Sequence, residues 1–257
     1  VRRSPARAVA TILVQRWGYI AHYEMPNDDP QALERRVRVD YPVRIDRIIG
    51  LGRLPGARLQ RAFSAPGTIT LLDKVLVWAH WLWFFFPHGT VLYLLLRRRE
   101  QFPRGAALIY GVFDTGVVFY WVIPTAPPWY AALHRRCDPD LRRMMVEHGE
   151  AFWKERWHPM YGFLGGNPLA AMPSLHFATS VMAARVLRET GPVQGAFGWT
   201  YAMTLGYALV HLGEHYVTDL IAGYALSEVV RRAAPRVAPL AAGVSRGVQA
   251  LEMRAHA

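Results

Sequence analysis

Cysteine is nearly absent: Cys137 stands alone in the 257 residues. That excludes an intrachain disulfide and a zinc site built from cysteines. Charge is also scarce, at 19% Asp, Glu, Lys and Arg, below what a soluble domain usually carries. What charge exists is short of acid, 19 Asp and Glu against 30 Lys and Arg, for a net +11. No internal repeat and no nucleic-acid module accompanies it. The arginines lie scattered between apolar runs, so the chain does not read as a nucleic-acid binder. A cleavable leader is not expected: Arg16 interrupts the first apolar run and no small-residue cleavage site follows. In place of these the chain has 52% hydrophobic and 12% aromatic residues, nine of them tryptophan. Apolar bulk, interfacial aromatics and cationic ends suit a protein whose surroundings are membrane lipids.

The apolar runs predict an all-α integral membrane protein: a bundle of about six transmembrane helices with amphipathic interfacial segments. Five runs are long enough to count: 69–96, 105–123, 170–187, 196–212 and 216–230. A sixth, 8–21, is short and reads either as a tilted span or as an interfacial helix. Three regions follow. Residues 1–66 hold that first helix and an arginine-rich amphipathic stretch suited to the headgroup layer or to an ordinary solvated face. Residues 67–232 form the bundle, and 233–257 an Ala/Arg/Pro-rich, partly disordered tail outside the bilayer. Pro87 predicts a kink in its span. Asp114 lies within another, either as a functional group or as a hydrogen-bond partner for a neighbouring helix. The polar connection 131–168 is long enough to be a lid or a substrate-binding element.

Two clusters at the edges of apolar runs carry the chemistry. One is Ala171-Met172-Pro173-Ser174-Leu175-His176, the other His211-Leu212-Gly213-Glu214-His215-Tyr216-Val217-Thr218-Asp219. Counting crossings between them puts both on one membrane face, together with the long connection. The opposite side receives the short Arg97–Arg104 loop, and positive-inside weighting makes that side cytoplasmic. The protein is then a multi-pass protein of the cell membrane with an extracytoplasmic site. The arginines of 35–61, on the site side, count against this orientation.

His215 and Asp219 are four residues apart, on one face of a helix. An aspartate so placed takes the Nδ1 proton of the imidazole and leaves Nε2 as a nucleophile. His176 is placed to protonate a leaving oxygen and then to activate an acceptor. Pro173 suits a first helical turn, Ser174 places a hydroxyl there, and free amides at that helix start would help hold a phosphate. The spacing of His211, His215 and Asp219 also admits a divalent metal.

The run Pro173-Ser174-Leu175-His176, followed by His215-Tyr216-Val217-Thr218-Asp219-Leu220-Ile221-Ala222-Gly223, resembles the type 2 phosphatidic acid phosphatase superfamily. Gly165-Gly166-Asn167-Pro168 and Pro124-Thr125-Ala126-Pro127-Pro128-Trp129 look more like its inositol phosphorylceramide synthase-like branch. The resemblance covers roughly residues 45–230. It implies a six-helix bundle, a phosphohistidine intermediate, no cofactor and no metal, with a lipid phosphate or phospholipid as substrate. It assigns His215 as nucleophile, Asp219 as its orienting partner and His176 as acid and base. Two departures stand out. The arginine expected six residues before the nucleophile is Leu209, and 105–133 contains no lysine or arginine. Candidates to hold the phosphate or substrate instead are Ser174, His211, Asn167, Arg135, Arg136, Arg142 and Arg143. The synthase-like branch shares these departures, so the resemblance implies a lipid phosphotransferase or specialised lipid phosphatase rather than a broad phosphatidate phosphatase. The alternatives are a transporter or scaffold with a degenerate site, and a metal-dependent membrane enzyme.

Overall fold

The computed structural model describes residues 4–64, 67–159 and 166–255. Helices make up most of the described chain. Helix α1 (Pro5–Glu24) starts at Ser4, whose side chain accepts from the Arg7 amide. Three short helices follow, α2 (Pro30–Arg36), α3 (Asp40–Ile49) and α4 (Pro55–Phe63). Helix α5 (Leu71–Leu82) opens on a reciprocal cap between Thr70 and Asp73. Helix α6 (Phe86–Arg97) continues it after a break. Then come α7 (Phe102–Val122), the single-turn α8 (Pro128–Leu133) and α9 (Met144–Trp153). The last three are α10 (Leu175–Thr190), α11 (Pro192–His211) and α12 (Val217–Ala255).

Helix α10 is the centre. It packs against α6, α7, α11 and α12 and is buried on nearly every side. Small residues such as Ala178, Ala183 and Ala184 let its neighbours close on it. Val181 and Met182 mesh there with Ile109, Phe113, Leu205 and Leu209 in the main core. A single residue, Gly191, joins α10 to α11, so the two run antiparallel.

The expected kink at Pro87 is a break just ahead of it. Helices α5 and α6 meet at 52°. Pro87 lacks an amide proton, and its ring would clash with the carbonyl four residues back, so one helix stops and another starts with proline in its first turn. By length and apolar content α7 can cross a membrane, and α5 with α6 can do so as one bent span. The other expected spans fall below that measure; α10, for example, is 16 residues long. Asp114 takes the structural part: Gln15 Nε2 of α1 donates to its Oδ1 at 2.9 Å.

Beyond residue 232 the structure corrects the expectation of a partly disordered tail. Helix α12 runs 39 residues without interruption, through Pro235 and Pro239. Alanine, leucine, arginine, glutamine and methionine dominate this stretch, and their helix preference outweighs the backbone bonds the two prolines forgo.

The amphipathic helices α3 and α4 lie against the bundle rather than apart from it. Asp46 of α3 is 1% exposed. Its carboxylate accepts from the amides of Val217 at 2.8 Å and Thr218 at 2.9 Å, and from the Thr218 hydroxyl. It thus caps α12 from another helix. Asp46→Ala strands those two amides and is expected to cost about 1–2 kcal/mol, read as a lower unfolding midpoint in detergent.

Candidate active site

The two sequence clusters meet at the start of α12. His215 Nδ1 lies 3.1 Å from Asp219 Oδ2, and His215 Nε2 lies 3.4 Å from His176 Nδ1. Asp219 is fully buried, His215 is 6% exposed, and His176 is partly open. The same Asp219 oxygen accepts from the Tyr216 amide at 2.9 Å. One carboxylate therefore fixes both the backbone that carries His215 and its ring. An Asp219-bound Nδ1–H leaves the lone pair of Nε2 directed at His176.

His176 reaches this place through the start of α10. Ser174 caps the helix, its Oγ accepting from the Phe177 amide at 3.3 Å, and its own amide donates to the Asp219 carbonyl at 3.0 Å. Ser174 is fully buried in that cap. Two of the amides expected to be free for a phosphate are therefore already bonded. The approach of α10 to α12 is close: a Cβ on Gly223 would lie 2.6 Å from the Ser174 carbonyl oxygen. Gly223→Ala must push the two helices apart. It is expected to destabilise by about 1–3 kcal/mol and to slow turnover ~10²-fold by parting His176 from His215, measured as unfolding midpoint and initial rate.

The turn before His215 needs glycine as well. Gly213 has φ +78°, and a Cβ there would meet the Arg142 carbonyl oxygen at 2.5 Å. The amides of Glu214 and His215 both donate to the carbonyl of Leu209, at 3.1 and 3.0 Å. Leu209 itself is fully buried in the main core.

The second motif region holds the first. Thr125 pairs in parallel with Arg38 on one side and Ala170 on the other. The Ala171 amide donates to the Thr125 carbonyl at 3.0 Å. The Tyr41 hydroxyl lies 2.7 Å from Thr125 Oγ1 and 3.1 Å from Met172 Sδ, and burial pushes this phenol above its ordinary pKa. Asn167 Oδ1 accepts from the Leu169 amide at 3.0 Å, which shapes the turn into Ala170. Gly165 lies outside the described residues.

The proposed phosphate ligands are placed differently from one another. His211 is fully buried, with Nε2 2.9 Å from Asp73 Oδ1 and 3.1 Å from Ser64 Oγ. It ends α11, while Asp219 belongs to α12, so His211, His215 and Asp219 do not share one helix face. Among the described residues no three His, Cys, Asp or Glu converge as a metal-binding group. Arg135 is exposed, and Arg136 pairs with Asp40 on the surface at 2.6 Å. Arg142 is bonded to Glu147, whose carboxylate raises its pKa further. Arg143 Nε donates to Glu214 at 3.0 Å, and its guanidinium lies 4.0 Å from the centre of the Trp129 ring. Glu214 is the residue before His215, so of the four arginines Arg143 is tied most directly to the turn that carries His215.

Sequence reasoning missed several residues around the site. Trp83, at the end of α5, sets its ring 4.1 Å from that of His176 and donates from Nε1 to Thr179 Oγ1 at 2.9 Å. His80, one turn earlier, has its ring 5.0 Å from His176. Gln60 of α4 donates to the carbonyls of Arg142 at 2.9 Å and His211 at 2.8 Å, clamping the arginine loop to the end of α11. Only the polar breaks in the 69–96 run and the 45–63 stretch hinted at these roles.

Comparison with known proteins places the chain in a family. A curated inositol phosphorylceramide synthase of Candida albicans (strain SC5314 / ATCC MYA-2876) is 30% identical over 175 residues, which are 63% of this chain and 36% of that protein. The match thus spans about a third of the relative's length. No solved structure matches significantly. The PAP2 superfamily is matched over residues 43–230, a stretch that contains His176, His215, Asp219 and the helices that position them. By that match the chain belongs to the PAP2 superfamily, with a likeness to inositol phosphorylceramide synthase within it.

Proposed function

We propose that this protein is an integral membrane enzyme that transfers a phosphoryl group from a lipid phosphate or phospholipid headgroup through a phosphohistidine at His215. The observation that carries the reading is the line Asp219–His215–His176, with contacts of 3.1 and 3.4 Å. Asp219 holds the Nδ1 proton and stabilises the imidazolium as Nε2 attacks phosphorus. The bond to the leaving oxygen breaks, and His176 supplies that oxygen with a proton. Water or an alcohol then attacks the phosphohistidine, His176 takes its proton, and the N–P bond breaks. In the free protein His176 and His215 touch, so substrate must part them on entry. The site faces the extracytoplasmic side of a bundle of about six spans, and substrate reaches it from the lipid.

Hydrolysis and transfer share the first half. The relative is named for making a ceramide that carries phosphorylinositol, which favours an alcohol over water as acceptor. The test uses the purified protein in vesicles containing ³²P-labelled phosphatidate or phosphoinositide, with and without a lipid alcohol. Labelled headgroup should appear on the alcohol, and brief reaction should leave acid-labile, alkali-stable label on the peptide containing His215. Free phosphate alone would make the protein a phosphatase. Label on no histidine, with no turnover of any lipid, would remove the enzyme reading in favour of a scaffold.

A further inference from the structure

Resting on that reading, we infer that His80 is a third histidine of the active site, donating a hydrogen bond to a non-bridging oxygen of the phosphoryl group in flight. The need is set by the chemistry. A phosphoryl group in transfer spreads negative charge over its outer oxygens, and catalysis rests on groups that meet this charge. The protein is short of such groups. Leu209 is sealed in the core, 105–133 has no cation, and Arg142 and Arg143 are bonded to Glu147 and Glu214.

His80 has the position and the spare bonding capacity. It lies on α5 and is 5% exposed. Its ring centre is 5.0 Å from that of His176, which is 5.5 Å from that of His215, so His176 touches both neighbours. His80 Nδ1 is buried with no hydrogen-bond partner among the described residues. A histidine kept for packing alone is normally bonded when buried. An unused nitrogen on a buried imidazole packed beside His176 is instead accounted for by a ligand that arrives with its own oxygen. His80 keeps its proton throughout; the proton that moves belongs to His176. The break between α5 and α6 follows two residues later and places Trp83 against His176. The bent span thereby brings both an aromatic wall and a donor to the site.

Vanadate tests this, because it forms a five-coordinate mimic of the transferring phosphoryl group. Wild-type protein should bind it, and His80→Phe, which keeps a ring but no donor, should bind it about 10²-fold more weakly. His80→Gln, which restores an N–H donor, should recover most of that loss. In ¹⁵N-histidine-labelled wild type, vanadate should move the ring signals of His80, assigned from the His80→Gln spectrum, together with those of His215. This second readout holds even if His80→Phe does not fold. Tight binding by His80→Phe, or His80 signals unmoved while those of His215 shift, overturns the His80 assignment and leaves the phosphohistidine reading standing. No vanadate binding by wild type, with no label on His215, overturns both.

Discussion

His215→Ala is expected to lower turnover by ~10⁴-fold or more and to abolish covalent labelling. The reason is geometric. Asp219 orients one imidazole, and the only group its bond aligns for attack is Nε2 of His215. His176 remains in the variant but lacks a carboxylate behind it: its Nδ1 contacts His215 itself. The fold should persist. Asp219 Oδ2 keeps the Tyr216 amide, and Asp46 still caps the helix start. The matching measurement is therefore a pair, rate and unfolding midpoint, on one preparation. A rate within tenfold of wild type at unchanged midpoint would sink the nucleophile assignment.

His176→Ala should show a loss that depends on the leaving group. With a lipid alkoxide leaving, the variant lacks the proton donor, and turnover should fall ~10²–10⁴-fold. With a nitrophenolate leaving, no proton is needed, so the first step should be largely spared. The second step still needs a base for the acceptor, and the phosphoenzyme should accumulate. Asp219→Asn is the control. It disturbs the His215 tautomer in both steps, so its loss should be similar for the two substrates. Equal losses for both substrates in the rate of phosphoenzyme formation by His176→Ala would mean that His176 positions rather than transfers protons. Rapid-quench labelling separates these cases.

What was legible in the sequence was local. His215 and Asp219 are one helical turn apart, and Pro173-Ser174 announces a capped helix start three residues ahead of His176. Crossing parity placed His176 and His215 at one end of the bundle, where the structure has them 3.4 Å apart. The kink near Pro87 was equally local. What escaped were groups whose partners lie far along the chain. Asp46 sits in an arginine-rich stretch, and Val217 and Thr218, which it caps, are 171 and 172 residues away. His211 looked like a phosphate ligand because it neighbours His215 in sequence. Its partner Asp73 is 138 residues off and already occupied in capping α5. The tail differs for another reason: its alanine-rich stretch carries the helix on through Pro235 and Pro239.

The Asp46 cap has a consequence for how the protein is made. Synthesis proceeds from the N-terminus, so Asp46 leaves the ribosome long before Val217 exists. Until then its carboxylate has neither helix end nor protein amide, and leaving water unpaired would be costly. Helices α3 and α4 must therefore wait at the aqueous margin of the nascent bundle. Arrival of the last helix settles this carboxylate and aligns His215 in the same event. A chain stopped short of α12 then lacks Asp219 and keeps Asp46 without its amides, a state distinguishable from the mature one by a solvent-accessible carboxylate.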